Sequence, residues 1–235
     1  MAKVSVIIPT YNYGEFICDA IDSVLNQTFK DFEIIVVDDG STDNTKDIIK
    51  KYRDKISYYY KTNDGPASAR NLGIKKSNGK YICFLDADDI FLPNKLELQV
   101  NLLKNNSNKN ISLVYSDFLI VNKNLNKVLK YYKCKKFLSH NQAFNYLMLD
   151  NYINTSTVMT LKDCLFEVNL FNEKYKYLED YDLWIKLGIN YEYIYINKPL
   201  VKTRAHYKNY SKKVNNSIKT TCFNEIKKNM KKPLF

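Results

Sequence analysis

With two histidines, one tryptophan, five prolines and six glycines in 235 residues, the chain is poor in the side chains that define several familiar architectures. Its five cysteines, Cys18, Cys83, Cys134, Cys164 and Cys222, lie far apart and form no CxxC pair. That spacing suggests neither a zinc site nor a compact disulfide framework, and it fits a reducing compartment. The few glycines and prolines mark turns and exclude a flexible low-complexity region. No apolar run approaches membrane-spanning length, and the apolar stretch from Val4 to Pro9 is too short for a signal peptide. The expectation is a soluble cytoplasmic protein. Carboxylates are scarce toward the C-terminus, where Lys202, Arg204, Lys208, Lys212, Lys213, Lys219, Lys227, Lys228, Lys231 and Lys232 face only Glu225.

What is present suits one α/β domain with a small appendage: 45% of residues are hydrophobic and 26% charged, enough to bury a core. The net charge of +11 points to an anionic partner, which could be a nucleic acid, a phosphorylated substrate or a membrane surface. Charge alone does not choose among them.

The first half repeats one grammar, a short β-branched apolar run, a polar or glycine-bearing turn, then a segment of helical periodicity. Strands are expected over 4–8, 33–37, 56–61, 81–85 and 113–118. Helical faces follow at Phe16, Ile17, Ala20, Ile21, Val24 and Leu25, around Ile48 and Ile49, over 67–76, and after Pro93. Apolar strands without polar alternation imply helices on both faces of a parallel sheet, with the active crevice beyond the strands' carboxyl ends. From 119 to 138 the pattern loosens into a lysine-rich and asparagine-rich stretch that reads as a hairpin. Segments 142–149 and 181–187 then read as helices.

The acids fall where that crevice should open. Asp86-Ala87-Asp88 alternates carboxylates at a strand end, able to aim hard oxygen ligands at a divalent cation that also holds phosphate oxygens. On its own the pattern also suits a solvated, helix-capping turn. Asp38-Asp39-Gly40-Ser41 follows a buried strand, so an acid there can accept hydrogen bonds from a base or ribose, although strand-end acid pairs also occur as phosphoacceptors. Glu179-Asp180-Tyr181-Asp182-Leu183-Trp184 places carboxylates beside the tryptophan at the start of a helix, where one could serve as a general base or merely complement the helix dipole.

Taken in order, these blocks resemble the inverting family 2 glycosyltransferases with the GT-A nucleotide-sugar fold. Val4-Ser5-Val6-Ile7-Ile8-Pro9-Thr10-Tyr11-Asn12 is similar to that family's opening strand and base-binding loop. Val37-Asp38-Asp39-Gly40-Ser41, Gly65-Pro66-Ala67-Ser68-Ala69-Arg70-Asn71, Phe84-Leu85-Asp86-Ala87-Asp88-Asp89 and Glu179-Asp180-Tyr181-Asp182 are similar to its later blocks. The resemblance implies an α/β, Rossmann-like, mostly parallel sheet flanked by helices, with a small C-terminal acceptor-side region. Residues 1–118 would form the nucleotide-sugar half, 119–210 the acceptor-side and catalytic-base region, and 211–235 a basic C-terminal helix. It further implies that Pro9, Thr10, Tyr11, Asp39, Arg70, Asp86 and Ala87 hold the nucleotide sugar, with Tyr11 stacking and Arg70 approaching the diphosphate. Asp88 would bind Mn2+ or Mg2+, with His206 of an RxHxxNxS-like segment as a further ligand. Asp180 would take the acceptor proton, and Glu179 and Trp184 would lie on the acceptor side. The implied partners are a nucleotide-diphosphate sugar, with UDP favoured, and a saccharide or lipid-linked acceptor of cell-surface polysaccharide or glycoconjugate synthesis.

Weaker patterns have plainer readings. Gly73 and Gly79-Lys80 lack the spacing and the Ser or Thr of a phosphate-binding loop, since Tyr81 stands in that place. The tyrosines suit strand packing and sugar-facing surfaces better than single-strand base stacking, so no nucleic-acid partner is expected. Ile218, Cys222, Ile226 and Met230 recur every fourth residue among lysines; that stripe suits docking on the domain, with contact to the inner face of a membrane as the competing use. The alternative enzyme is a nucleotidyltransferase that makes sugar nucleotides, but Pro9-Thr10-Tyr11-Asn12 offers no glycine-rich basic loop. A basic nucleic-acid-binding module is the non-enzymatic alternative, supported by charge and tyrosines alone.

Overall fold

The structure, a computed structural model, describes residues 3–105, 110–207 and 216–230, with the side chains of the last helix described over 220–228. Its first half alternates β1 (Val4–Thr10), α1 (Ile17–Leu25), β2 (Phe32–Asp38), α2 (Thr45–Ile49), β3 (Ser57–Tyr60), α3 (Pro66–Lys76) and β4 (Tyr81–Phe84). A two-residue β5 (Ile90–Phe91) and α4 (Lys95–Asn105) lead to the long β6 (Ile111–Asn122), β7 (Val128–Tyr132) and α5 (His140–Leu147). There follow β8 (Met159–Leu161), α6 (Lys162–Glu167), α7 (Glu179–Asn190), β9 (Glu192–Ala205) and α8 (Asn216–Met230).

Among the described residues these strands form one sheet in the order β3-β2-β1-β4-β8-β6-β9-β5, with β7 added on β6. The pairs β1–β2, β2–β3 and β1–β4 are parallel, in register from Val4 opposite Phe32 and Tyr81. Val4, Val6, Ile7, Ile8 and Ile34 to Val37 are buried, as strands covered on both faces must be. Beyond β4 the sheet is mixed: β8 runs antiparallel to β4 and β6, β5 antiparallel to β9, while β6 and β9 are parallel. The expected hairpin at 119–138 is the β6–β7 pair, and Phe118 stacks on Tyr132 across it at 4.6 Å. Strand β9 escapes the sequence pattern because Asn197-Lys198-Pro199 interrupts it. The register against β6 shifts where Pro199 faces Asp117, since proline cannot donate to the ladder.

Two helices set the second half of the site. Helix α7 opens on Leu178 in the left-handed region (φ 59°), and its first-turn acids Glu179, Asp180 and Asp182 complement the helix dipole. Helix α8 docks on the domain: Ile226 is buried and Phe223 stacks on Tyr181, ring centroids 5.2 Å apart. Of the stripe read in the sequence, the side chains of Ile218 and Met230 lie outside the described residues, as do Asn209 and Ser211. Among the described residues no helix is long and apolar enough to cross a membrane.

Trp184 corrects one expectation. It is fully buried beside Phe84 and Phe171 and does not line the cleft: it shares a helix face with Asp180 but sits one turn further along α7, where the helix has passed from the cleft wall into the core.

Candidate active site

The carboxyl ends of β1, β2 and β4 open into a cavity of about 1130 Å³. Pro9, Thr10, Tyr11, Asp39, Arg70, Asp86, Ala87, Asp88, Glu179 and Asp180 all line it, so one space collects these acids from three distant stretches of chain. His206 lies just behind the wall, hydrogen-bonded to Asp88.

On one side, two loops lock together to form a shelf. Asn12, at φ 58°, accepts from the backbone N–H groups of Thr42 (2.8 Å) and Asp43 (3.1 Å), tying the β1 loop to the β2 loop. Asp38 is internal: its carboxylate accepts from the Ser41 backbone and the Tyr58 hydroxyl, both at 2.8 Å. Asp39 faces the cleft and accepts from Lys61 Nζ (2.7 Å) and the Gly65 backbone (2.8 Å). Gly40 permits this close turn at φ 82°, where a Cβ would stand 2.8 Å from the Asn63 nitrogen. Tyr11 presents a half-exposed ring on the rim, and the buried Thr10 hydroxyl has no hydrogen-bond partner among the described residues. A shelf of ring, hydroxyl and carboxylate suits a nucleoside.

At the cleft floor, the loop after β4 carries Asp86, Asp88 and Asp89. Asp88 Oδ2 lies 2.8 Å from His206 Nε2, and His206 packs its ring on Phe16, centroids 4.5 Å apart. Arg204 fastens this loop from behind: its Nε donates to the Asp88 carbonyl (3.0 Å), its backbone to Asp89 (3.2 Å) and its Nη2 to Asp19 (2.7 Å). Burial, then the charges of Asp88 and Asp86, pushes the Asp89 carboxyl well above its ordinary range. Burial and then the same acids push the Tyr13 phenol upward. Such accumulated negative potential is what a cation would neutralise. Among the described residues no group of three or more His, Cys, Asp or Glu side chains is placed to hold a metal ion by itself. Asp88 and His206 offer an oxygen and a nitrogen, with Asp86 alongside. That fits an ion of the magnesium or manganese kind, which keeps coordination positions for phosphate oxygens or water.

Arg70 links the floor to the far wall. Its guanidinium is buried and forked, Nη2 donating to Asp86 Oδ1 and Nη1 to Glu179 Oε1, both at 2.8 Å. Its Nε has no hydrogen-bond partner among the described residues. Arg70, read in the sequence as approaching the diphosphate, lines the cleft with its guanidinium paired to an acid from each wall. Even so, burial outweighs the pairing, and with the neighbouring Asp180 charge it pushes the Glu179 carboxyl up to about 6.

Asp180 faces the cavity with both oxygens held. Thr155 Oγ1 donates to Oδ2 at 2.9 Å, and Oδ1 accepts from Asn151 Nδ2 at 3.3 Å and from the Tyr181 backbone at 2.7 Å. Burial raises its pKa while the Thr155 hydroxyl pulls it back. Thr155 sits on a one-turn 3-10 helix, Thr155–Thr157, steadied from beneath by a buried pair: Lys95 Nζ donates to Gln99 Oε1 (2.6 Å), and Gln99 Nε2 to the Thr157 carbonyl (2.7 Å). The same turn accepts from the Asp86 backbone through Ser156 Oγ (3.2 Å). Sequence reasoning did not find Asn151, Thr155, Lys95 or the holding role of Arg204. Asn154-Thr155-Ser156-Thr157 is an ordinary polar loop by composition, and no local signal marks it.

Comparison with known proteins places this cleft in context. The model of Glycosyl transferase family 2 matches residues 5–166. An uncharacterized glycosyltransferase of Rickettsia prowazekii is 37% identical over 86% of this chain and 64% of its own length, so the chain spans about two thirds or less of the first relatives it resembles. The UDP-Glc:alpha-D-GlcNAc-diphosphoundecaprenol beta-1,3-glucosyltransferase WfgD of Escherichia coli is 35% identical over 78% of this chain and 69% of that one. Among solved structures, S. aureus TarS in complex with UDP-GlcNAc superposes with a TM-score of 0.77 at 23% identity, covering 95% of this chain and 64% of that one. Mannosyltransferase PcManGT from Pyrobaculum calidifontis, in complex with GDP-Man and Mn2+, gives 0.65 at 18% identity, with 88% and 58% covered. The two structural likenesses speak to the fold.

Proposed function

The chain belongs to glycosyl transferase family 2, and from that premise we propose that it moves a sugar from a nucleotide-diphosphate donor to an acceptor hydroxyl with inversion at the anomeric carbon. The observation that carries this reading is the convergence of Asp39, Asp88 and Asp180 on one cavity. Tyr11, Thr10 and Asp39 bind the nucleoside, with UDP the donor nucleotide in keeping with the relatives' named ligands. Asp88 and His206, with Asp86 nearby, would hold Mn2+ or Mg2+, which when bound offsets negative charge on the departing diphosphate.

Asp180 accepts the proton from the acceptor hydroxyl, whose oxygen attacks the anomeric carbon on the face opposite the diphosphate. Inversion follows from that placement. Burial raises its pKa and so its strength as a base, and Thr155 and Asn151 keep its oxygens aimed. Arg70 fixes the distance between Asp86 on the donor side and the first turn of α7. The acceptor is a saccharide or lipid-linked saccharide, by likeness to the acceptor in WfgD's name, and the chain works at the inner face of a membrane.

The test is a screen of nucleotide sugars with Mn2+, Mg2+ or a chelator, read as nucleoside diphosphate release. Asp180→Asn should lose transfer by a factor of about 10² to 10⁴ and keep nucleotide affinity. Ordinary turnover by that variant would remove Asp180 from the reaction. Release of pyrophosphate in place of nucleoside diphosphate would favour a nucleotidyltransferase.

A further inference from the structure

Residues 118–149 contain six lysines, at 123, 127, 130, 133, 135 and 136, and no carboxylate. The fold gathers most of that charge onto the β6–β7 hairpin and the segment following it. Lys127, Lys130, Lys133, Lys135 and Lys136 are all exposed. Among them stand aliphatic side chains that folding has left in water: Val128 is 53% exposed, Leu129 51% and Leu138 89%. Among the described residues strand β7 pairs with β6 alone, and at its end Tyr132 turns onto Phe118 so that both line the cleft. Leu149, 70% exposed, lines the cleft as well and also borders a shallow recess of about 410 Å³ walled by Phe137, Gln142, Asn145 and Tyr146.

We propose that this hairpin, residues 127–138 with Leu149, presents the outer edge of β7 as a docking surface for an anionic lipid bilayer beside the acceptor end of the cleft, with Val128 and Leu129 reaching the interface from the two sides of the strand. Two features select the partner. A lysine field alone would serve any polyanion, but the interleaved Val128, Leu129 and Leu138 gain only if they leave water, which a bilayer interface allows and a phosphate backbone does not. A second copy of the chain is disfavoured because an isologous contact would set the same lysines against each other across the symmetry axis. The position is functional: Val128 lies four residues along the strand from Tyr132, about 13 Å at ~3.3 Å per residue. A bilayer at the hairpin therefore lies beside the mouth of the cavity that Tyr132 and Asp180 both line. Helix α8, the basic element read first in the sequence, is less suited, since Ile226 and Phe223 are used in docking on the domain. The inference rests on the glycosyl-transfer reading only in naming that end of the cleft as the acceptor end.

The experiment is co-sedimentation of the full chain with vesicles of phosphatidylglycerol and phosphatidylcholine, and with phosphatidylcholine alone. Binding should require the anionic lipid. At about fivefold per lysine near an anionic surface, the quadruple variant K127Q/K130Q/K133Q/K136Q should bind roughly 600-fold more weakly. V128S/L129S should bind severalfold more weakly, and K227Q/K228Q on α8 should bind as the parent does. Each variant should keep the parent's thermal stabilisation by UDP, which reports the cleft independently. Equal vesicle binding by the hairpin variants would overturn the proposal, as would loss confined to the α8 variant. Absence of vesicle binding by a parent that UDP still stabilises would sink the surface and spare the transfer reading. Concentration-dependent dimers abolished by the hairpin variants, or preferential binding to an RNA probe over vesicles, would assign the face to another partner and overturn it too.

Discussion

Replacing Arg70 with Met tests the buried fork that joins the two walls of the cleft. The substitution keeps much of the apolar volume and removes the cation between Asp86 and Glu179. The Asp86 side chain is 38% exposed and can recover water, so its share is small, ~0–1 kcal/mol. The Glu179 side chain is 10% exposed and cannot, and an acid stranded by removal of its buried partner costs about 3–5 kcal/mol. At pH 8 the expected loss is therefore about 3–4 kcal/mol, or roughly 10 °C in Tm for a chain of this size. The pH dependence has a definite sign. With Arg70 present, Glu179 already titrates at about 6, above its unfolded value; without it the folded pKa climbs further. A carboxyl whose pKa is higher folded than unfolded favours the folded state as pH falls through that window, because the native protein takes up the proton first. The Arg70→Met deficit should be full at pH 8 and shrink markedly by pH 5. Thermal or urea unfolding of parent and variant at both values gives the result, and the double variant Arg70→Met/Glu179→Gln should regain much of the stability at pH 8. A deficit below about 1 kcal/mol, or one unchanged between pH 8 and pH 5, would refute the view that Arg70 is needed chiefly to keep Glu179 charged.

Thr155→Val should lower kcat with little change in donor KM. It should also move the acid limb of the pH–rate profile upward, since the lost hydroxyl helped hold the Asp180 pKa down, and Thr155→Ser should restore both; an unmoved limb would detach Thr155 from the base. His206→Ala should weaken activation by Mn2+ by about 10- to 100-fold in a metal titration while leaving metal-free UDP binding in place, and unchanged metal affinity would reject ligation. Trp184→Ala should cost about 3–5 kcal/mol in urea unfolding as a core cavity, with UDP affinity of the folded fraction retained. Gly188→Ala drives a methyl into Tyr193 and Phe144 and should cost about 1–3 kcal/mol, again without touching nucleotide binding.

Strand-and-helix alternation over the first half was legible because each unit is local. Apolar runs at 4–8, 33–37 and 81–85 are long enough to declare buried strands, and Gly65-Pro66 announces a helix start by backbone chemistry alone. The acidic loops were legible for the same reason, since a parallel sheet sends every strand's carboxyl end to one edge. Strand β9 and the mixed pairing of β8 were not, because their segments are short, or broken by Pro199, and take strand form from their neighbours on β6.

Sequence alone thus determined which acids share an edge, because that follows from chain direction and period. Tertiary structure decided what each side chain does there. It turned Trp184 into the core and spent Arg70 on Asp86 and Glu179. It also brought Thr155 onto Asp180 from an unmarked loop, seated His206 against Asp88 from 118 positions away, and left the hairpin's aliphatic residues in water. Each of these depends on distances between segments remote in the chain. Local residue pattern carries no record of such distances until packing closes the loops between them.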